Sequence, residues 1–200
     1  VLHAHTLASF TTLSIELAED GYRVEDYISM AMSKAVANAV DKACLSGTGK
    51  NSQPTGVINQ KDILEEDVEN VNLTNYNCFS SAFYKVEKCN ITPSGIILPS
   101  SVLASLDLLK NKDDDPLKPP ESWGKLEKFS SNQLVNNCVV AAWNYLLIGM
   151  RTTARLEVTR VAGDAWEKMQ LKLRIYTRLD CALGLAESFC NIKNIGEIVS

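Results

Sequence analysis

The chain has 200 residues, of which 46% are hydrophobic and 22% charged, and a formal net charge of -4. This composition predicts an ordinary folded protein and excludes a disordered or collagen-like chain. The acidic balance also argues against a sequence-specific DNA reader that works through a basic surface. The apolar runs are shorter than the ~18 residues that a membrane span needs. Because the chain starts at Val1 without a Met or a leader pattern, we expect a soluble fragment without membrane contact.

Six cysteines are scattered along the chain without a C-x-x-C pair: Cys44, Cys78, Cys89, Cys138, Cys181 and Cys190. A disulfide or zinc framework is typically marked by closer, patterned spacing. We therefore expect reduced thiols in a cytosolic product, buried as small hydrophobes.

The first third of the chain is dominated by one long helix. Residues 2–7 alternate weakly and predict the end of a strand that begins upstream. Ser14 is a typical N-cap for a short helix that ends at Gly21. A spine helix, ~33 Å long, is then predicted over residues 24–46. Its apolar positions recur at helical spacing and predict a single buried stripe: Val24, Tyr27, Ile28, Ala31, Met32, Ala35, Val36, Ala39, Val40, Ala43 and Cys44.

A glycine-rich turn, Gly47-Thr-Gly-Lys-Asn-Ser-Gln-Pro-Thr-Gly56, follows the spine helix. Gly47 is expected to supply a left-handed helix cap, and Gly49 and Gly56 to bracket a tight turn. The segment resembles the end of a nucleotide-binding P-loop only superficially, since Asn51 replaces the Ser or Thr and the glycines follow a helix instead of preceding one. Lys50 is therefore not expected to bind phosphate.

The middle of the chain predicts a compact α+β subdomain. Residues 56–58 are expected to start a short strand, and the polar stretch to Asn70 to be a solvated face that includes Glu65, Glu66, Asp67 and Glu69. Thr74 is a candidate cap for a helix over residues 75–88. A buried strand over 91–98 and a helix beginning at Pro99, which carries Val102, Leu103, Leu106 and Leu109, complete the unit. Three prolines and charged residues predict a surface loop over 112–120.

From Leu134 onward the pattern predicts strands, over residues 138–143, 145–150, 155–161, 168–180 and 181–189. In the fourth, one face is apolar (Met169, Leu171, Leu173, Ile175, Leu179) and the other polar (Gln170, Lys172, Arg174, Tyr176, Arg178). This period of two indicates a half-buried strand. We expect its apolar face to cover the spine helix.

The chemical candidates are weak. His3 and His5 are the only histidines, so a catalytic triad is hard to build and a metal site lacks nearby ligands. The acidic run Asp113–Asp115 lacks the glycine and closing Glu of a calcium loop, which favours a solvated loop. We therefore assign no catalytic, cofactor-binding or metal-binding residue.

Large aromatic residues offer a different kind of site. Trp123 and Trp166 adjoin loop signals and are interpreted as candidate contacts between subunits. Trp143 and Tyr145 suit a core or an interface equally well.

The order of the elements resembles the major capsid protein of tailed bacteriophages. The resemblance spans nearly the whole chain and rests on a strand remnant, Ser14-x-Glu16-Leu17-x-x-Asp20, the spine helix, Gly47-x-Gly49-x-x-x-Gln53-Pro54-x-Gly56, a helix-strand-helix subdomain and a terminal Arg178-x-Asp180 strand. It implies an α+β, HK97-like capsid fold. Residues 1–58 and 150–200 would form a peripheral domain, and residues 59–149 an axial domain. The N-terminal arm and the first half of the extended loop would lie upstream, with residues 2–7 as the returning strand.

The same resemblance implies self-assembly into pentamers and hexamers of an icosahedral shell that encloses double-stranded DNA. Scaffolding and portal proteins are the implied partners, DNA contact would be non-specific, and assembly would occur in the bacterial host cytoplasm. Some family members join subunits by a Lys-Asn isopeptide bond, but the resemblance assigns no crosslinking residue to this chain. Two alternatives stay open: an encapsulin-type nanocompartment shell, and a small cytosolic hydrolase with an acidic site.

Overall fold

A computed structural model describes residues 2–68, 75–111 and 114–195. The chain divides into two compact units: unit 1 comprises residues 1–55 and 148–181, and unit 2 comprises residues 56–147 and 182–200. No helix in the described part of the chain is long and apolar enough to cross a membrane.

Unit 1 is built on a three-stranded sheet in the order β1-β7-β6. The strands are β1 (His5–Ser14), β6 (Leu146–Thr159) and β7 (Gln170–Leu183). β1 pairs antiparallel with β7 from His5 opposite Leu179 to Ser14 opposite Gln170. Two edges of this sheet, β1 and β6, therefore have no further strand neighbour among the described residues.

Two helices follow β1. The short helix α1 (Ile15–Asp20) begins where the Ser14 hydroxyl accepts a hydrogen bond from the Leu17 amide at 3.2 Å, which confirms the predicted cap. The spine helix α2 (Val24–Ser46) follows. Leu171, Leu173 and Ile175 of β7 cluster with Met32 and Val36 of α2, so the predicted cover of the spine by the apolar strand face is confirmed.

The buried stripe of α2 is narrower than predicted. Its buried residues are Met32, Val36, Ala43, Cys44 and Leu45, whereas Tyr27, Ala31 and Ala35 are exposed. A three-stranded sheet covers only part of a helix surface, because each strand contributes a row of side chains about 4.8 Å from the next.

Unit 2 is organised around a mixed five-stranded sheet in the order β2-β8-β5-β3-β4. Its strands are β2 (Leu64–Asp67), β3 (Gly95–Leu98), β4 (Glu127–Ser130), β5 (Asn137–Ala141) and β8 (Phe189–Lys193). Its helices are α3 (Asn77–Glu87), α4 (Ser100–Asp107) and α5 (Glu121–Gly124). Phe79, Phe83 and Val86 of α3 lie in one extensive cluster with the residues of β5 and β8.

Several predicted elements need correction. Residues 57–59 form a 3-10 helix instead of starting a strand. The predicted strand over 91–98 is confined to Gly95–Leu98, because Asn90 has a positive φ of 61° and Pro93 provides no amide donor. The predicted helix over 75–88 is shorter at both ends, and its proposed cap Thr74 lies outside the described residues.

The acidic stretch 65–67 is a strand and only partly a solvated face. β2 pairs in parallel with β8, Lys85 binds Glu66 at 2.5 Å, and Lys193 binds Glu65 at 2.5 Å. The pairing partner lies more than 120 positions away along the chain, which local sequence patterns do not report. Glu69 lies outside the described residues.

The C-terminal strands also differ from the prediction. The segments 145–150 and 155–161 are one strand, β6, and residues 181–183 continue β7. Residues 186–188 form a 3-10 helix, and the last strand is β8. Met169 is exposed with a φ of 52° and lies before β7, so it does not belong to the apolar strand face.

Residues 150–200 were predicted to lie together in the peripheral domain, but the structure distributes them between both units. β8 is hydrogen-bonded to β5 and β2 of unit 2, and the chain leaves unit 1 after Cys181.

Candidate assembly surfaces

The segment from Gly47 to Gly56 is a small hairpin-like turn at the end of α2. Thr48 and Thr55 form an antiparallel bridge, the Gly49 amide donates to the Pro54 carbonyl at 3.2 Å, and the Gln53 amide donates to the Lys50 carbonyl at 3.0 Å. Asn51 and Ser52 at the tip both have positive φ values, 52° and 60°, as the central residues of a type I′ turn do.

Gly47 and Gly49 of this turn are required for different reasons. Gly49 has a φ of +68°, whereas Gly47 has a φ of -55°, so the predicted left-handed cap at Gly47 is wrong. A side chain at Gly47 is excluded by space instead, since a Cβ atom would lie 2.3 Å from both the Ala43 and the Pro54 carbonyl oxygens. Gln53 participates through its Oε1, which is 3.1 Å from the Thr48 hydroxyl.

The two tryptophans predicted as subunit contacts occupy opposite environments. Trp123 is 7% exposed and packs against Tyr76 and Phe79 with ring centroids 5.4 and 5.0 Å away. It is therefore a core residue of unit 2, which the adjacent loop signals concealed. Trp166 is 73% exposed in the connection between β6 and β7, and it remains a candidate contact.

Arg178 and Asp180 lie near the end of β7 but differ in their partners. Asp180 is buried; its Oδ2 accepts a hydrogen bond from the His3 amide at 2.7 Å and its Oδ1 one from the Cys181 amide at 2.9 Å. It thereby fixes the segment before β1 to the end of β7. The Arg178 Nε atom is buried without a hydrogen-bond partner among the described residues.

The sheet of unit 1 has one face against α2 and one open face. Thr6, Ala8 and Phe10 of β1 line an open groove with Arg174, Tyr176 and Arg178 of β7. The Glu157 carboxylate of β6 accepts a hydrogen bond from the Arg174 Nε at 3.1 Å. Strand alternation then places Arg151 and Arg155, which share the parity of Glu157, on this face as well.

We call this open face the cationic face; it carries five basic side chains and one acidic strand residue: Arg151, Arg155, Lys172, Arg174, Arg178 and Glu157. Arg174 holds the pKa of the Glu157 carboxyl below its usual value, mainly by a hydrogen bond, with help from Tyr176 and Arg155. The pKa of Asp164, in the connection before β7, is lowered by hydrogen bonds from Lys168 and then Lys172. Phe10, on the edge strand β1, is 70% exposed on this face.

The opposite face of the same sheet leaves apolar surface uncovered beside α2. A groove of about 270 Å³ is lined by Val36, Ala37 and Val40 of α2 and by Met150 and Ala154 of β6. Further along β6, Leu156 and Val158 are exposed. This surface is not predicted from the sequence, because it depends on one continuous strand, Leu146–Thr159, where the pattern predicts two short strands.

In the part of the chain that the structure describes, the titratable and metal-ligating side chains do not converge on one site. Within the described ranges, no three His, Cys, Asp or Glu residues cluster in a way that could hold a metal ion. The acidic run Asp113–Asp115 falls partly outside these ranges, and Asp114 pairs with Lys110 at 2.9 Å. A pocket of about 300 Å³ in unit 2 is lined by Ser, Asn, Pro and aliphatic residues around Pro99 and Asn132, without a titratable side chain.

All six cysteines are free thiols. Burial raises the pKa of Cys78 to about 11 and that of Cys190 to about 12. It also raises the pKa of Cys138 strongly. These thiols are therefore protonated and unreactive at neutral pH, which does not suit a nucleophile.

Comparison with solved structures places the fold among phage capsid proteins. Similar structures come from Mycobacterium phage Bobi, at 16% identity over 96% of this chain and 72% of that chain with a TM-score of 0.77, and from Gordonia phage Cozz, at 14% identity over 96% and 70% with a TM-score of 0.76. The capsid of an empty GTA particle is similar at 14% identity over 98% and 73%, with a TM-score of 0.79. No curated protein sequence matches the chain. The α+β, HK97-like capsid fold is thus confirmed.

The amino-acid sequence identifies the protein family of this chain. The model of the phage capsid family matches residues 1–194. This chain belongs to the phage capsid family; it is a structural shell protein of the virion and not an enzyme. The alternative of a small hydrolase with an acidic site was therefore wrong.

Proposed function

We propose that this chain is a major capsid protein that assembles with copies of itself, as pentamers and hexamers, into an icosahedral shell around double-stranded DNA. The observation that carries the proposal is the surface of unit 1. Among the described residues, both edges of its sheet lack a further strand neighbour. Large apolar side chains are exposed on the two faces of the sheet (Phe10, Met150, Leu156, Val158), on α2 (Tyr27, Met30) and at the connection between β6 and β7 (Trp166).

Such a surface is unusual for a protein that works alone. Monomeric proteins rarely expose contiguous apolar patches, and open sheet edges invite pairing with another chain. In a closed symmetric shell every copy uses the same contacts, so that individually modest interfaces become collectively strong. Membership of the phage capsid family supports this use of the surface.

The turn from Gly47 to Gly56 has a proposed role in the same assembly. It lies at the end of the spine helix, directly before the chain enters unit 2 at Gly56. We assign unit 1 to the peripheral domain and unit 2 to the axial domain of the shell subunit. Scaffolding and portal proteins are proposed partners, and assembly is proposed to occur in the host cytoplasm.

The test is expression of the full-length protein in bacteria, followed by sedimentation and negative-stain electron microscopy. Closed particles or free pentamers and hexamers are expected, and a stable monomer at every concentration would contradict the proposal. Nuclease-protected DNA in particles isolated with their phage would test the cargo. Deletion of residues 47–56 is expected to prevent normal particles, whereas Gly124→Ala, where a Cβ meets no atom within 4 Å, serves as a matched control.

A further inference from the structure

Unit 1 carries two surfaces of opposite charge. The first is the cationic face of the β1-β7-β6 sheet. Within the described residues, the ion pairs of this face are Arg174 with Glu157 and Lys172 with Asp164, so that Arg151, Arg155 and Arg178 have no ion-pair partner. Phe10 and the ring of Tyr176, with Arg174 5.4 Å from its centroid, add aromatic surface between the charges.

The second surface is formed by α1 and the first turn of α2, and we call it the acidic end. It exposes Glu16, Glu19, Asp20, Glu25 and Asp26 against the single cation Arg23. Of these five carboxylates, only that of Asp26 has an ion-pair partner in the described chain, Arg23 at 3.5 Å. Between these carboxylates the aromatic Tyr22 is 91% exposed and Leu17 is 50% exposed.

We propose that the cationic face binds the acidic end of a second copy of this chain. This inference rests on the proposed function and names the surfaces that one shell contact would use. Each surface combines unpaired charge of one sign with exposed apolar or aromatic side chains, and the signs are complementary. Because the two surfaces are different parts of one chain, the contact is head-to-tail, and such contacts generate rings and closed shells when the rotation closes.

DNA is the less suitable occupant of the cationic face. A duplex offers regularly spaced phosphates and satisfies arginines, but its backbone leaves Phe10 without an apolar partner. The acidic end offers carboxylates together with Leu17 and Tyr22. Interfaces typically combine aromatic anchors with a charged rim that steers association, which is the composition of these two surfaces.

The experiment compares charge reversals in the full-length protein. Arg151→Glu with Arg155→Glu reverses the cationic face, and Glu19→Lys with Asp20→Lys reverses the acidic end at the last turn of α1, where cations suit the helix dipole. Each pair is expected to raise the concentration needed for half-assembly by about tenfold or more, measured by light scattering and sedimentation. The variant with all four substitutions is expected to recover part of the loss, because the introduced glutamates then face the introduced lysines.

A control variant keeps net charge from explaining the result. Lys34→Glu with Lys42→Glu, both exposed on α2, changes the charge as much as the arginine pair does and is expected to assemble within about twofold of the wild type. Circular dichroism verifies that all variants are folded. The proposal is overturned if the variant with all four substitutions assembles no better than the two double-substitution variants, or if neither double-substitution variant affects assembly.

Other occupants of the cationic face give distinct results. If the arginine pair weakens binding to a 30-base-pair duplex while assembly is unchanged, the face binds DNA and the proposal fails. If it lowers the unfolding temperature of the monomer without affecting assembly, another segment of the same chain covers the face. If the wild type forms no particles under any condition, the proposed function is contradicted. The contact proposed here is then tested separately, because sedimentation velocity at low salt measures the association of protomers and ranks the same variants by it.

Discussion

The two units differ in how much of their apolar surface they bury within themselves. In unit 2, the strands β5 and β8 are almost wholly buried, and α3 completes a continuous core that includes Phe79, Phe83 and Trp123. Unit 1 has a small cluster around Met32, Val36 and Leu171, while most of the described exposed large apolar side chains belong to it. Unit 2 therefore buries most of its apolar side chains within itself, whereas unit 1 leaves more of its own exposed to solvent.

The largest effect is expected from a cavity in unit 2. Phe83→Ala removes a side chain that is 1% exposed and should lower the free energy of unfolding by about 3–5 kcal/mol. Urea denaturation measures the change. Tyr84→Ala on the same helix, where the side chain is half exposed, should cost far less. Equal losses at the two positions would show that Phe83 does not lie in a densely packed core of unit 2.

A comparable deletion in unit 1 is expected to cost less. Leu173→Ala removes a contact of β7 with α2, and we expect about 2–3 kcal/mol, the lower part of the range for Leu→Ala, because neighbouring surface is already open to water. Native-state hydrogen exchange of the α2 amides reports the loss locally. Val158→Ala, exposed on β6, is the control. A loss at Leu173 as large as that at Phe83 would remove the distinction between the two units.

Gly47→Ala tests the turn where unit 1 ends. The added Cβ would meet two backbone carbonyl oxygens at 2.3 Å, and neither oxygen can move without disturbing the end of α2 or the Thr48–Thr55 bridge. We expect a loss of about 1–3 kcal/mol, measured as a shift in the thermal midpoint. Gly124→Ala in α5 is expected to be neutral or slightly stabilising, since alanine is favoured in helices. Similar midpoints for both variants would contradict the steric account.

Sequence patterns correctly predicted the helices and strands that are determined by their own residues. The Ser14 cap, the spine helix and the alternation from Leu171 to Leu179 follow from capping chemistry and periodicity, and all are present. The predictions were wrong where contacts with distant segments of the chain determine the local structure or the burial of a side chain. β2 exists because it pairs with β8, and Trp123 is buried because α3 supplies Tyr76 and Phe79.

The candidate surfaces were predicted less completely than the fold. Trp166 and the polar face of β7 were noted from the sequence, but the cationic face needs β6 beside β7, and that neighbour relation is not visible in either strand alone. Arg151 and Arg155 were divided between two predicted strands, so their shared face could not be recognised. Phe10 was missed because β1 was expected to end at residue 7, before it.

The smallest effect concerns the ion pair that bridges β6 and β7 on the cationic face. Arg174 lowers the pKa of Glu157 from its ordinary value of 4.5, so the stability gained from the pair is present above about pH 4.5 and is lost as the pH falls through the lower folded-state pKa. Glu157→Gln should therefore lower the thermal midpoint slightly at pH 7, and the difference from the wild type should shrink toward pH 3. The pair is exposed, so high salt should reduce the difference as well.

Arg174→Gln should give the same pH dependence, and combining both substitutions should add little, because either one already breaks the pair. A difference that stays constant between pH 7 and pH 3 would show that Glu157 contributes through packing on the sheet, and the contrast between a stable unit 2 and an electrostatically held face of unit 1 would then need revision.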